Sequence, residues 1–179
     1  MSDKRLAIIF PGMGYHKDKP LLYYSRKLLE QMGYDVIEVE YGEHFTDRQA
    51  AYEKMKSVVI PIVNKISWED YKDAVFVSKS VGTQAAGEIT KGLPVPIRNI
   101  YFTPVEEALP YLNKESIVFA GESDPMMDLL KLREICDKEE AILYTYHEAN
   151  HSLETPDVME NLEILGEVLA ITEKFIKTL

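Results

Sequence analysis

Ala74-Val75-Phe76-Val77-Ser78-Lys79-Ser80-Val81-Gly82-Thr83-Gln84-Ala85-Ala86-Gly87 is the stretch whose reading decides the fold. Its first four residues are apolar and mostly β-branched or aromatic, the pattern of a buried strand. Three residues later a run of small side chains begins, suited to a helix that packs closely on its neighbours. A serine at such a tight strand-to-helix turn has its hydroxyl held out above the sheet, provided the residues two before and two after it are small. Ser78 and Gly82 fill those places around Ser80, so the pattern is S-x-S-x-G.

Outward from this turn, short strand-like runs alternate with helical patterns, which is the signature of βαβ units and a mainly parallel sheet. Strands are expected at residues 5–10, 35–40, 74–77, 99–102, 116–120 and 141–146. Between the first two, Pro20 opens a helix at its first position, Leu21, Tyr24, Ser25, Leu28 and Met32 share a face, and Gly33 stands where a helix ends. A helix over residues 47–66 carries Ala51, Met55, Val58, Val59, Ile62 and Ile66 on one stripe and is expected to kink at Pro61. A third starts after Ser80 and runs to Gly92. The last opens at Thr155-Pro156-Asp157, with Thr155 as cap and Val158, Leu162, Leu165, Leu169 and Ile176 on its buried side. The expected architecture is a three-layer αβα sandwich with a six-stranded, mainly parallel sheet, forming one domain over residues 1–179.

With this order in view, residues 6–179 resemble the α/β-hydrolase superfamily, with Ser80 at the nucleophile elbow and Ser78 in place of the family's first glycine. The resemblance implies an acid after the second-last strand and a histidine after the last. Gly121-Glu122-Ser123-Asp124-Pro125 is similar to the family's acid loop, which points to Asp124, with Glu122 or Asp128 as substitutes. Asn150-His151-Ser152-Leu153 supplies the histidine. The implied roles are Ser80 as nucleophile, His151 as general base and Asp124 as the group orienting it. The implied oxyanion hole takes one amide from Val81 and one from the Pro11-Gly12-Met13-Gly14 loop, with Met13 favoured and Gly14 the alternative. Gly12, Gly14, Tyr15 and Met126 are expected to contact substrate, on a rim that also includes Thr103, Pro104 and Leu153.

Two other motifs compete. His147-Glu148-Ala149-Asn150-His151 satisfies H-E-x-x-H, a zinc-peptidase signature that works only when a helix presents both histidines on one face. Here it lies between a strand pattern and a new helix start, so a loop is expected, with His147 partly exposed and no metal bound. Gly12-x-Gly14 with Glu38 and Glu40 on the second strand suits a dinucleotide site, but Lys17 replaces the third glycine. His16 and His44 are expected at the surface.

The remaining features bound the function. A net charge of −10 with no basic patch argues against nucleic acid. No apolar run approaches the roughly 20 residues of a membrane span, and residues 6–10 are too short for a signal-peptide core, so a cytoplasmic protein is expected. The lone Cys136 excludes an internal disulfide, and a half-buried helical place is expected for it. Residues 103–115 leave hardly any room for a lid. The expectation is therefore an open serine esterase for small-molecule acyl esters or thioesters, needing no cofactor. The alternative from another class is a fold of this type kept as a non-catalytic binding module.

Overall fold

The computed structural model describes residues 3–42 and 45–178. Its six strands are β1 (Lys4–Phe10), β2 (Tyr34–Glu38), β3 (Tyr71–Ser80), β4 (Ile97–Pro104), β5 (Ser116–Gly121) and β6 (Ile142–Tyr146). They form one sheet in the order β2-β1-β3-β4-β5-β6. Every pairing is parallel, so the expected mainly parallel sheet is wholly parallel among the described residues. Parallel neighbours need crossovers, and helices α1 (Pro20–Gln31), α2 (Arg48–Val63), α3 (Val81–Thr90), α4 (Leu129–Lys138) and α5 (Val158–Lys177) lie on the two faces.

Alternation along the strands assigns those faces. Ala7, Ile9, Val75, Val77, Ile100 and Phe102 pack with Leu21, Leu22 and Leu29 of α1 and Val168 and Phe175 of α5. Leu6, Ile8, Phe10, Ala74 and Phe76 point the other way, onto Met55 and Val59 of α2 and Ala85 and Ala86 of α3. Tyr101 and Val118 continue that second face beneath Leu132 and Cys136 of α4. Cys136 is fully buried rather than half-buried.

Several helix details differ from the sequence reading. The buried stripe of α1 runs through Leu21, Leu22, Ser25 and Leu29, whereas Tyr24 is exposed. On α5 the inward face is Ile164, Val168, Thr172, Phe175 and Ile176, which leaves Val158 70% and Leu162 56% exposed. Both helices are apolar over more than one stripe, so periodicity alone leaves their rotation open. Asp157, not Thr155, caps α5, accepting hydrogen bonds from Met159 and Glu160 amides. Pro61 lies in the last turn of α2, and the helix ends at Val63 instead of running to residue 66. No helix among the described residues is long and apolar enough to cross a membrane. His44 lies outside the described residues.

Strand order reverses between β1 and β3, the place in an open parallel sheet where loops diverge above the strand ends and leave a crevice. The residues following β1 and β3 are those of the Gly12–Gly14 loop and the Ser80 turn.

Candidate active site

Ser80 ends β3 and caps α3 with φ 53° and ψ −123°, a backbone state that costs about 1–3 kcal/mol for a non-glycine residue. Packing on both sides enforces it. Ser78 donates its hydroxyl to the Ile100 carbonyl, which explains how serine fills the place of glycine there: its small polar group is absorbed by β4. Thr83 donates to the Ser80 carbonyl and accepts from the Val105 amide. A Cβ on Gly82 would stand 2.4 Å from the Phe10 carbonyl oxygen and 2.7 Å from that of Pro11, so only glycine lets α3 begin this close to β1.

The loop after β1 is a tight turn closed by two hydrogen bonds, Gly12 N–H to Tyr15 O at 3.0 Å and Tyr15 N–H to Gly12 O at 3.1 Å. Gly14 holds φ 73°, the left-handed value this turn needs at its third position. The closing bonds consume the amides of Gly12 and Tyr15 and leave those of Met13 and Gly14 at the tip. Gly12 packs against the elbow, where an added Cβ would lie 3.0 Å from Ser80 Cβ. Val81, at the first position of α3, has an amide without an intrahelical acceptor. The turn packs against Ser80 and α3 starts at the residue after it, so both candidate donor segments adjoin the elbow.

The acid and histidine loops are knitted to each other. Glu122 N–H donates to Tyr146 O and Ser123 N–H to Ala149 O, both at 2.9 Å. His151 Nδ1 lies 2.7 Å from Asp124 Oδ2, and His151 Nε2 lies 2.9 Å from Ser80 Oγ. An ionised carboxylate only accepts, so Nδ1 carries the proton and Nε2 is left to accept from the serine hydroxyl. Asp124 Oδ1 accepts the Met126 amide at 2.8 Å. Burial pushes the Asp124 carboxyl up, but the hydrogen bonds from His151 and Met126 and the nearby charges of His151 and Lys79 outweigh it and hold the group below its ordinary range. A pKa lowered on folding stabilises the protein above the usual carboxylate range, and that contribution is lost as pH falls through the lowered value.

The substitutes considered for Asp124 are occupied elsewhere. Asp128 caps α4 by accepting from Leu130 and Lys131 amides. Glu122 faces outward to Arg133, Thr145 and His147. Residues 147–151 form turns and irregular backbone, so His147 and His151 do not share a helix face: one meets Glu122 at the surface and the other Ser80 and Asp124. Lys17, standing at the third glycine position of a dinucleotide fingerprint, ion-pairs with Glu38 and Glu40, so the acids that such a site would turn to a ribose are engaged.

Of the expected rim, Met126 is 41% exposed, whereas Tyr15, Thr103, Pro104 and Leu153 are buried; Met13, the favoured oxyanion donor, is 38% exposed. Tyr15 lies under its turn, its hydroxyl accepting from the Leu21 amide at the start of α1. Thr103, expected on the rim, is instead a buried support. The β3–β4 register passes from Lys79↔Phe102 to Ser80↔Pro104, so Thr103 is the extra residue of a bulge, at φ 40°. From there its hydroxyl donates to the His151 carbonyl at 2.9 Å. Thr103→Val keeps the branched shape and removes only this bond. It is expected to destabilise the protein by about 1–3 kcal/mol and lower kcat by about tenfold, measured by thermal melting and ester hydrolysis.

One cleft lies at the turn after β1 and another at the start of α3. The first, of about 400 Å³, is lined by Pro11, Gly12 and Gly14 on one side and Val39 to Gly42 on the other. The second, of about 240 Å³, is bounded by Val81, Gln84 and Val105 with Arg48 and Glu107. The segment between β4 and β5 folds as a short 3-10 helix, Glu106–Tyr111, with Ala108 and Leu109 buried, and inserts no cap.

No sequence-family profile and no curated protein sequence matches the chain. Solved structures do. A Pyrococcus furiosus esterase superposes with a TM-score of 0.72 at 14% identity, over 99% of this chain and 83% of that one. Est1E from Butyrivibrio proteoclasticus gives 0.70 at 10% identity, over 99% and 90%. An alpha-beta serine hydrolase homologue from Coxiella burnetii gives 0.68 at 11%, over 95% and 86%. With a doubly wound parallel sheet and near full-length superposition on these proteins, the chain has the α/β-hydrolase fold.

Proposed function

We propose that the protein is a serine hydrolase that cleaves small acyl esters or thioesters through an acyl-enzyme on Ser80. The observation that carries this reading is the unbroken path from Asp124 Oδ2 through His151 to Ser80 Oγ, with contacts of 2.7 and 2.9 Å. In this reading His151 takes the Ser80 proton as Oγ forms a bond to the acyl carbon, and Asp124 stabilises the imidazolium. The carbonyl oxygen becomes an oxyanion facing the amides of Met13 and Val81, beside the N-terminus of α3. His151 then gives its proton to the departing alcohol or thiol. Water, deprotonated by the same imidazole, attacks the acyl carbon and releases Ser80 and a carboxylic acid. No step calls for a cofactor. That the Pyrococcus furiosus neighbour is named an esterase supports the choice of bond.

The short segment between β4 and β5, which folds as a 3-10 helix and inserts no cap, supports a small substrate. Gly12, Gly14 and Met126 contact the substrate, and Tyr15 shapes the turn from below. Acetyl and butyryl p-nitrophenyl esters are expected to turn over with kcat/KM at least about tenfold above the palmitoyl ester, since the capless segment between β4 and β5 offers a long chain no covering in which to be desolvated.

A fluorophosphonate probe followed by intact-protein mass measurement tests the chemistry. One covalent adduct that maps to Ser80 is the expected result. Absence of an adduct at any pH would instead favour a binding module. Hydrolysis that survives without labelling but stops with a chelator would favour metal chemistry.

A further inference from the structure

The cleft at the start of α3 begins one residue past the candidate nucleophile. Val81 follows Ser80 directly, and Val105 follows Pro104, the residue of β4 that pairs with Ser80 in the sheet register. Both valines are buried, so the part of the cleft that adjoins Ser80 along the chain is apolar. Gln84 lies three residues beyond Val81, on the same face of α3. Across from these stand the charged groups, Arg48 at the first position of α2 and Glu107 in the 3-10 helix after β4. Arg48 Nη1 lies 3.7 Å from Glu107 Oε2, an ion pair too long for a hydrogen bond. Among the described residues neither the Arg48 guanidinium nor the Gln84 carboxamide has a hydrogen-bond partner, so a fork of five N–H donors is unspent. Arg26 and Arg133, by contrast, each donate to a carboxylate, and Arg98 donates to main-chain carbonyls. Asp47, the other acid on the cleft, caps α2 by accepting the Ala50 amide at 2.8 Å, which leaves Glu107 as the one acid that competes for Arg48 there.

We propose that this cleft is the specificity subsite of the hydrolase and that it selects esters or thioesters carrying a carboxylate, which Arg48 binds in place of Glu107. This rests on the reading of Ser80 as nucleophile given above. A planar guanidinium takes a carboxylate through two parallel N–H···O bonds, and such charge-assisted bonds are about twice as strong as neutral ones. Glu107 is a weak competitor, because two part-exposed side chains at 3.7 Å are held only by screened attraction. The net charge of −10 repels anions at long range, so a preference for the anionic substrate has to arise locally, at Arg48.

The test uses near-isosteric esters that differ by one charge: monoethyl succinate against ethyl succinamate, with the carboxylate in the acyl part, and O-acetylglycolate against its amide, with the carboxylate in the alcohol part. Acid release at about pH 7.5 and about 0.15 M salt, where long-range repulsion is screened, gives kcat/KM for each. In at least one pair the carboxylate is expected to be favoured by about tenfold, chiefly through KM, and that pair identifies the part of the substrate held in the cleft. Arg48→Gln is expected to bring the ratio to about one, Arg48→Lys to retain part of it and Glu107→Gln to raise it about two- to threefold. A wild-type ratio below about two in both pairs, with Ser80 still labelled by the fluorophosphonate, overturns the inference and leaves the proposed chemistry standing. A preference that survives Arg48→Gln overturns it equally. A wild type that neither labels nor turns over any of the four esters overturns the assignment of Ser80, and this inference with it.

Discussion

Ser80→Ala is expected to lower kcat on a short-chain ester by about 10⁵- to 10⁶-fold and to abolish fluorophosphonate labelling, while the melting temperature stays level or rises. In the proposed mechanism the magnitude follows from removing the oxygen that accepts the acyl group: His151 Nε2 has Ser80 Oγ as its partner, at 2.9 Å. The residual rate over water would come from the oxyanion amides and substrate binding alone. The stability expectation has a separate origin. Ser80 holds φ 53° because Thr83, Gly82 and Gly12 enclose the turn, and its hydroxyl supplies no helix-cap bond, so alanine loses nothing that holds the fold together. Alanine at positive φ carries the same strain as serine. A loss of less than about 100-fold in kcat would mean that another group performs the chemistry.

The parts of this arrangement that were legible in the sequence are those fixed by local rules. Ser78-Lys79-Ser80-Val81-Gly82 announces itself because a strand-to-helix turn demands small residues at fixed offsets. Asp124 and His151 are found by their places after β5 and β6, since parallel strands put all their C-terminal ends on one rim. The supports were not legible. Thr103 reads as a rim residue just past the strand at 99–102, and the one-residue register slip that turns it toward His151 leaves no mark in composition. Lys79 reads as the arbitrary second residue of the motif, and only the fold shows it buried. The inward faces of α1 and α5 were misjudged because apolar residues lie on more than one side of each. The exposed Val158 and Leu162 are as hydrophobic as the buried Val168 and Ile164, and the sheet decides which face it covers. The three-layer architecture survived these errors because it depends on which segments are strands and on their parallel order, both insensitive to helix rotation.

Gly121→Ala tests whether that convergence depends on the backbone of the loops rather than on the side chains of Ser80, Asp124 and His151 alone. A Cβ there would stand 2.2 Å from the Ala149 carbonyl oxygen and 2.5 Å from that of Asn150, both main-chain atoms with no side-chain rotamer by which to yield. The histidine loop has to retreat, and it is held by Ser123 N–H to Ala149 O, by Glu122 N–H to Tyr146 O and by Thr103 to His151 O, so retreat strains or breaks these bonds. The expected destabilisation is about 1–3 kcal/mol, the range for forcing a methyl group into packed surroundings. The effect on catalysis is larger in proportion. His151 bridges Asp124 at 2.7 Å and Ser80 at 2.9 Å, and a displacement of about 1 Å loses one of the two, which corresponds to about 100-fold in kcat. Gly166→Ala is the matched control. It lies in α5 with no neighbour near the added methyl, so it is expected to stabilise the protein by about 0.5–1 kcal/mol and leave kcat unchanged. Equal kcat in Gly121→Ala and Gly166→Ala, measured below the lower melting temperature, would show that the acid and histidine loops adjust independently and that the close approach at Gly121 does not position His151.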